Sequence, residues 1–363
     1  MHSRRGGAVW RTRKPRRFAG IVAAASVATM VSVGVPVTVD AASDAPGAPG
    51  ASATWTTGDK EGLGTSTTAT SKVWYTLTGG TLSEVYYPSG ITPNVRELQF
   101  AVTDGATFAQ RETDDTTRSI ALTDQKSLTY RQTTTDRQGR WRLTKTYVTD
   151  PARPTLLIDV DFQTLAGGPY QLFALYDPSL AGNSGDDSGS TAGSALVASD
   201  THVAGAPVAT ALMASGGFAA TSTGYVGTSD GWTDLSAHHQ LTATYEQAGP
   251  GNIAQVGQIA ASTGGSTRVT LALGFGPSGD AALATASASL AQPFAAAAAA
   301  YQDGWHQYTS TLKKPPAVLD SGLTTQYWAS VMTLRAHEDK TFPGAFIASL
   351  TIPWGTALKT RVM

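Results

Sequence analysis

The sequence predicts a mainly β protein, a large antiparallel β-sandwich followed by helical segments. Three observations predict it. Short runs of β-branched and aromatic residues fill the chain from Trp55 to about Gly276. These runs are separated by Gly, Asp, Asn and Pro, and no long helical period interrupts them. More than a dozen short strands joined by short turns favour a sandwich over alternating strands and helices.

Individual strands and one hairpin can be assigned from the same texture. Thr144–Val148 alternates with the period of two that is typical of a half-buried strand. Thr78-Gly79-Gly80-Thr81 joins two runs and predicts a tight hairpin turn. The clearest predicted strands are Lys72–Leu77, Leu82–Tyr87, Trp141–Val148, Thr155–Phe162, Tyr170–Tyr176 and Arg268–Phe275.

The texture becomes helical after Gly276. Residues 280–300 are rich in alanine and broken by Pro293, and the prolines of Lys313–Pro316 end this helical linker. A second helix is expected from Asp320 to about Glu338, with a loop from Thr341 to Gly355 after it. Its apolar side chains share one face, at Leu323, Tyr327, Trp328, Val331 and Met332. One amphipathic helix cannot bury its apolar stripe alone, so we expect a second domain that begins here and is incomplete.

The N-terminus has the pattern of an export signal. A basic region up to Arg17 precedes an apolar stretch from Phe18 to Val39, and Val39-Asp40-Ala41 offers small residues for cleavage. Pro36 argues against a retained membrane anchor. We therefore expect a cleaved signal peptide and secretion. The predicted domains are signal peptide 1–41, disordered linker 42–53, sandwich 54–278, helical linker 279–316 and the truncated start of a second domain 317–363.

Composition excludes several classes of function. The chain has no cysteine, which excludes disulfides, thiol catalysis and cysteine-based zinc sites. Without residues 1–41 it has 19 basic and 26 acidic residues, a net charge of −7, which is unsuited to binding nucleic acid. It contains no His-Glu-x-x-His pair. No cofactor and no metal site are predicted.

An ordered series of motifs resembles the bacterial glucodextranases and glucoamylases of glycoside hydrolase family 15. The series covers about 300 residues, from Trp55 to Trp354. Its pieces are Gly58–Thr65, Val73–Leu77, Leu82–Pro88, Arg96–Gln99, Val102–Gly105, Tyr176–Pro178 with the loop to Gly189, Gly304-Trp305, Glu338–Thr341, Pro343–Ser349 and Ile352–Gly355.

The resemblance implies a β-sandwich N-domain, a helical linker and an (α/α)6 catalytic barrel. It also implies an enzyme that releases β-D-glucose from the non-reducing ends of α-glucans by inversion, which needs two carboxyl groups about 6.5–9.5 Å apart. In the family both are Glu residues of the barrel, beyond the last residue of this sequence. We therefore expect no catalytic residue in this chain, which would be inactive alone. The expected partners are an α-glucan or oligosaccharide substrate and the rest of the barrel.

Two groups of residues are candidates for a functional site. Trp354 and Ser349 lie on the loop nearest the mouth of the implied barrel, where Trp354 either stacks on a sugar ring or packs against the barrel. Glu84, Tyr86 and Tyr87 are candidates for the interface between sandwich and barrel, since polar and aromatic residues next to a tight turn are expected to be exposed. The Glu84 carboxylate either orders its hairpin or, as the alternative, acts as a general acid.

Three further groups favour structural roles. Asp59 and Glu61 lie in a glycine-rich turn that lacks the context of a phosphate-binding loop. Asn183, Asp186 and Asp187 do not follow an EF-hand spacing, which favours a solvated Asx-type loop over a calcium site. His238-His239 lacks a third ligand, which favours a surface loop.

Two other functions stay open at this point. The chain is either a stand-alone β-sandwich that binds glucan through exposed aromatics, or an inert remnant that aggregates through its lone barrel helix. The tryptophans that would serve the first of these are Trp55, Trp74, Trp141 and Trp232. Tryptophans within strands are more often part of a core, which argues against this binding role.

Overall fold

Two antiparallel sheets form the main body of the protein. The computed structural model describes residues 43–201, 207–259 and 265–352. The first sheet has the order β1-β2-β3-β4-β10-β16-β14, with β5 paired to β4. Its strands are β1 Gly62–Thr65, β2 Trp74–Thr78, β3 Thr81–Tyr86, β4 Pro93–Thr103, β5 Ala109–Arg111, β10 Gln171–Pro178, β14 Phe218–Tyr225 and β16 Ile253–Ile259.

The second sheet has nine strands in the order β15-β11-β12-β13-β17-β9-β8-β7-β6. These are β6 Thr116–Leu122, β7 Tyr130–Asp136, β8 Trp141–Thr149, β9 Thr155–Thr164, β11 Asp187–Ala192, β12 Ala195–Asp200, β13 Val208–Ala214, β15 Gln247–Gly251 and β17 Ser266–Gly276. Each of the six strands assigned from the sequence is present. The observed first and last residues differ from the predicted ones by two residues at most.

The core lies between the two sheets. It contains Leu77 and Phe100 from the first sheet and Trp141, Ile158 and Phe275 from the second, all at most 1% exposed. Inward-facing side chains alternate with outward-facing ones, as β8 shows with buried Trp141 and Leu143 on either side of exposed Arg142. The predicted antiparallel sandwich is confirmed.

The hairpin between β2 and β3 has the predicted turn. Thr78 pairs with Thr81, and Gly79 and Gly80 have φ angles of 56° and 90°. A two-residue turn with positive φ at both positions matches the twist of the flanking strands, and glycine adopts that conformation without strain. The hairpin therefore follows from local sequence alone.

Helices cover the outer face of the second sheet. They are α2 Gly279–Leu290, α3 Phe294–Ser310 and α4 Ser321–Ala336, and Pro293 separates the first two as predicted. Side chains of α3 and α4, Trp305, Trp328 and Met332 among them, join Val148 and Leu157 of the sheet in one buried cluster. The Asp320 carboxylate accepts a hydrogen bond from the Leu323 amide and begins α4. The helical segment after the sandwich is confirmed.

Two expectations differ from the structure. Part of the predicted disordered linker 42–53 is bound to the sandwich, since the Ala45 amide donates to Gln247 and the Ala51 amide donates to Val226. A helix inside the sandwich was not predicted: α1, Gly231–His238, whose amides at Trp232 and Thr233 donate to the Asp230 carboxylate. Backbone hydrogen bonding to a sheet edge leaves no periodic signal in a Pro/Gly-rich segment, so the first difference was hidden from pattern analysis.

The predicted signal peptide lies outside the described residues. The bounds of the five predicted domains stay predictions. Among the described residues, no helix is both long and apolar enough to cross a bilayer.

Candidate functional site

The segment after α4 returns to the first sheet and forms a small apolar contact with it. We call this contact the docking interface, and it comprises Leu63, Trp74, Tyr86, Ile347 and Leu350. Trp74 and Tyr86 project from neighbouring strands, β2 and β3, where they are directly paired. Both side chains are almost fully buried, as is Leu350. The docking interface therefore joins the sandwich to the segment predicted to begin the second domain.

Polar contacts reinforce the docking interface. The Trp74 indole Nε1 donates to the Ala336 carbonyl at the end of α4, at 2.9 Å. The Lys340 ammonium lies 4.7 Å from the centroid of the Trp74 ring and donates to Thr65 Oγ1 at 2.6 Å and to the Ser71 carbonyl. Burial, and to a lesser extent Arg335, lowers the pKa of Lys340 well below its usual value. Trp74 thus has a structural position, with one edge on α4 and one face on Lys340.

Glu84 is a buried structural carboxylate. The sequence suggested an exposed loop, but Glu84 lies within β3 and is 0% exposed. The Lys60 ammonium lies 2.8 Å from Glu84 Oε2, and Thr76 Oγ1 donates to the same oxygen at 3.2 Å. Burial lowers the pKa of Lys60 against the opposing effect of Glu84. This geometry fits a carboxylate that orders its hairpin and gives no support to a general acid.

Tyr86 and Tyr87 also differ from the exposed residues that the sequence suggested. Tyr86 is 2% exposed, and burial followed by the proximity of Glu84 raises its pKa. Tyr87 is half-buried, and its ring stacks on Phe275 with centroids 5.3 Å apart. Neither tyrosine is exposed for contact with a further domain, although Tyr86 contacts the segment that leads to it. Their role as interface residues toward the rest of a barrel stays a prediction.

The two predicted substrate-binding residues are placed differently. Ser349 lies half-buried next to Leu350 of the docking interface. Trp354 lies outside the described residues. The structure therefore brings Ser349 close to the sandwich and gives no geometry for Trp354.

Three carboxylates come together at the edge of the second sheet. Oxygens of Asp186, Asp187 and Asp200 lie within 4.8 Å of one another, an arrangement able to hold a cation. Burial first, then the neighbouring carboxylates, raises the pKa of Asp187 to about 8, although the Leu180 amide donates to it. Asn183 does make the predicted Asx contact with the Gly185 amide, but Asp187 is 0% exposed. The solvated loop predicted here is therefore wrong for Asp187.

The remaining predicted groups have structural roles. The Asp59 carbonyl accepts from Thr78 Oγ1 and the Glu61 amide donates to Leu77, so their turn pairs with β2. His238 ends α1 and contacts Asp234 at 2.7 Å, and His239 caps the helix with a φ angle of 59°. The surface loop predicted for the two histidines is in fact a helix end.

The tryptophans considered for glucan binding divide into two classes. Trp74 and Trp141 are at most 1% exposed and belong to the docking interface and the core. Trp55 and Trp232 are half-buried. Trp232, on α1, lines a cavity of about 260 Å³ together with Arg96, Glu97 and Asp177. Apart from the resemblance at Arg96–Gln99 and Tyr176–Pro178, sequence reasoning missed this cavity, because β4 and β10 meet only in the folded sheet.

Large exposed apolar side chains concentrate in the helical segment. Of the seven in the described part of the chain, five lie between residues 318 and 346. We call these five the exposed apolar surface: Val318, Leu323, Leu334, Phe342 and Phe346. Leu323 was predicted to share the apolar face of α4 with Trp328 and Met332, but it is 48% exposed while those two are buried.

Comparisons with known proteins agree with this architecture. The family model for "Glucodextranase, domain N" matches residues 45–310. A glucoamylase from Clostridium sp. (strain G0005) is 36% identical over 312 residues, which are 85% of this chain and 43% of that protein.

A solved structure of a bacterial glucoamylase complexed with acarbose is similar over the same part. It superposes with a TM-score of 0.79 at 35% identity and covers 87% of this chain and 46% of that one. The chain thus spans less than half the length of the relatives it matches. Because the family model covers most of the sandwich and the helices α2 and α3, the chain belongs to the glucodextranase N-domain family.

Proposed function

We propose that this chain is the N-terminal part of a secreted, inverting, exo-acting α-glucan hydrolase of the glucoamylase or glucodextranase type. The observation that carries the proposal is the similarity to glucoamylases over both the sandwich and the helical segment. Acarbose, an oligosaccharide, is bound in the similar solved structure. An oligosaccharide is accordingly the substrate class that we propose here.

The sandwich serves as a scaffold for the catalytic barrel. Its second sheet packs against α2 and α3, and α4 packs on α3 and on β1 of the first sheet, so the helical domain starts from a fixed platform. The exposed apolar surface offers α4 and the following loop to further helices, since burying large apolar side chains is favourable. We propose that the rest of the barrel covers it and carries the two catalytic carboxyl groups.

The chain alone is expected to be inactive. Inversion needs an acid and a base on opposite faces of the sugar ring, about 6.5–9.5 Å apart and open to substrate. Two fully buried carboxylates are paired with structural partners, Glu84 with Lys60 and Glu112 with Lys145. No residue of this chain is assigned as acid or base.

A fusion tests this function. Residues 42–352 are joined to the C-terminal part of the Clostridium glucoamylase that this chain does not match, and maltotriose hydrolysis is followed by proton NMR. We expect glucose to appear first as the β-anomer, because inversion converts the α-linkage. Because the fused part supplies the acid and the base, a fusion that folds but hydrolyses no glucan contradicts the claim that this chain scaffolds such a barrel.

A control separates scaffold from catalyst. The same C-terminal part expressed without residues 42–352 should lose its activity or its solubility, because the platform for its first helix is gone. Undiminished activity and stability without the sandwich would show that the sandwich is no scaffold.

A further inference from the structure

The cavity beside Trp232 lies on the outer face of the first sheet, opposite the core. Glu97 and Gln99 of β4 and Asp177 of β10 form its floor, and Arg111 of β5 and Trp232 of α1 form its walls. The outer face of an antiparallel sheet is commonly open to solvent. Here α1 and β5 enclose part of it, and a volume of about 260 Å³ remains between them.

Charged side chains on the floor hold one another in place. Arg96 Nη1 donates to Asp177 Oδ2 at 3.0 Å and to Glu97 Oε2 at 3.3 Å. Gln99 Nε2 donates to the same Glu97 oxygen at 2.9 Å. The three charged side chains are only 14–24% exposed. Half-buried charges cost stability that apolar residues of similar size would not, so a role beyond stability is sought for this group.

The wall opposite the floor is equally fixed. The Arg111 guanidinium lies 4.7 Å from the centroid of the Trp232 ring, and both oxygens of Asp114 accept hydrogen bonds from it at 3.1 and 3.2 Å. Asp230 places Trp232 by capping the first turn of α1. A preorganised wall lowers the entropy cost of binding a ligand.

The charge of the cavity favours a neutral ligand. Arg96 and Arg111 face Glu97, Asp177 and Asp230, and burial raises the pKa of Asp177 to about 7 against the effect of Arg96. Both arginines are already paired, Arg111 with Asp114 and Arg96 with Glu97 and Asp177, so neither guanidinium is left as an unpaired charge for an anion. An ion would lose its hydration without a compensating opposite charge, whereas a polyhydroxylated ring loses little.

Donors, acceptors and volume match a sugar ring. The guanidinium and amide groups donate, the carboxylates accept, and a hydroxyl group does both. The volume of about 260 Å³ lies near the lower limit of small-molecule pockets, roughly 300 Å³, and suits a ligand as small as one six-membered ring. Trp232 adds an apolar edge for the C–H groups of such a ring.

We propose that this cavity is a non-catalytic site for one sugar ring, a glucosyl residue of the α-glucan. Glu97 and Asp177 accept hydrogen bonds from its hydroxyls, and Gln99 and Arg96 donate to them. The choice of glucose rests on the proposed function, whereas the choice of a neutral polyol rests on the cavity alone. Such a site would hold the polysaccharide near an enzyme that works from chain ends.

Binding to the chain itself tests the proposal without any catalysis. Maltotriose is titrated by calorimetry into residues 42–363 and into the variants Glu97→Gln and Gln99→Leu. We expect saturable binding by the wild type and at least a tenfold weaker Kd for each variant. Glu246→Gln, an exposed carboxylate away from the cavity, is the matched control and should bind like the wild type.

Folding and competing ligands are checked in the same experiment. Each variant must keep the circular dichroism spectrum and the unfolding midpoint of the wild type. If Glu97→Gln unfolds because it loses its contact with Arg96, Gln99→Leu still tests the cavity. If the wild type shows no binding at maltotriose concentrations up to ~10 mM, its affinity is weaker than millimolar, and the proposal is overturned. Tighter binding of sulfate or calcium ions, or of a galactose-based oligosaccharide, overturns the assignment to a glucosyl ring.

Failure here can be told apart from failure of the proposed function. If maltotriose does not bind to the cavity but the fusion enzyme still releases glucose, only the cavity assignment is wrong. If maltotriose binds but the fusion hydrolyses no glucan, the proposed hydrolase is wrong and the cavity stands as a sugar site.

Discussion

Lys145 and Glu112 form an ion pair inside the sandwich, and both are 0% exposed. The ammonium also donates to the Gly80 carbonyl at 2.6 Å, and the Phe100 amide donates to the carboxylate at 3.0 Å. Burial lowers the pKa of Lys145 and raises that of Glu112. The pair therefore ties the turn of the β2–β3 hairpin to β8 at the cost of desolvating two charges.

Removing either partner alone should lower the unfolding free energy strongly. Removing both should lower it by less than the sum of the two single losses. We expect Lys145→Met and Glu112→Leu to lower the unfolding free energy by about 3–5 kcal/mol each, because each leaves a buried charge without its partner. The double variant should lose clearly less than the sum, by at least ~1 kcal/mol. Urea unfolding measures all three.

A surface pair provides the matched control. Arg137 and Asp115 lie 3.5 Å apart with side chains 61% and 64% exposed, so water screens them. Arg137→Met should change stability by less than ~1 kcal/mol. Equal costs for Arg137→Met and Lys145→Met, or additive losses in the buried pair, would contradict this account.

Asp187 should make stability depend on pH. Its folded-state pKa of about 8 lies above the value of about 3.9 for an unfolded chain, so the folded protein keeps a proton that the unfolded chain loses between these values. The contribution of Asp187 to stability is therefore full below about pH 4 and is lost as the pH rises toward 8.

Asp187→Asn removes this dependence while keeping the shape of the side chain. In a buffer with a chelator, we expect the variant to be more stable than the wild type at pH 8, on the order of 1–3 kcal/mol, and nearly equal to it at pH 4. Asp59→Asn, in an exposed turn, should show no such trend. A variant less stable than the wild type at pH 8 would disprove the assignment.

Sequence patterns could identify these residues but not their surroundings. Glu84 was recognised next to a hairpin, yet its partner Lys60 lies in another segment, and only the folded sheet buries both. Glu97 and Asp177 are eighty residues apart in the chain and become neighbours through the pairing of β4 with β10. Contacts of this kind depend on strand register, which local composition does not specify.

At the scale of elements, α4 depends on Trp74 for its attachment to the first sheet. Trp74→Phe keeps most of the apolar contact but removes the hydrogen bond to Ala336 and weakens the contact with Lys340. We expect a loss of about 1–2 kcal/mol that is confined to local opening of the helix. Hydrogen exchange of the amides in Ser321–Ala336 should accelerate while those of β17 stay protected.

Trp141→Phe is the control for this local effect. Trp141 lies in the core between the sheets and donates to Gln110 Oε1 at 3.3 Å. Its replacement should lower protection throughout the sandwich, with no selective change in α4. Uniform acceleration by Trp74→Phe as well would show that α4 unfolds only with the whole domain.

Elements with strong local signals were predictable. The β2–β3 hairpin follows from two glycines, and the break between α2 and α3 follows from Pro293. Helix α1 was missed because it is short and surrounded by strands, although Asp230 two residues before Trp232 has the chemistry of a helix cap. The binding of residues 43–51 to the sheet could not be predicted, since it depends on backbone pairs such as Ala45 with Gln247 and on side chains distant in sequence, such as Asn252, which donates to the Ala51 carbonyl.

At the scale of the whole molecule, the sandwich and the helices form one continuous buried structure. The second sheet has the core on one face and helices α2 and α3 on the other, while α4 packs on α3 and on β1 of the first sheet. The fold class was predictable because strand patterns and an alanine-rich segment occur in this order along the chain. The function was suggested only through resemblance, because none of the motifs read from the residues alone indicated a chemistry.

The most direct test of the central claim is glucose release by this chain alone. Purified residues 42–363 are incubated with maltooligosaccharides and with dextran, and free glucose is assayed. We expect none above a heat-denatured control, because the catalytic pair is proposed to correspond to the part of the relatives that this chain does not match. Release of glucose that is lost in Glu97→Gln would contradict the account and place catalysis on the sandwich itself.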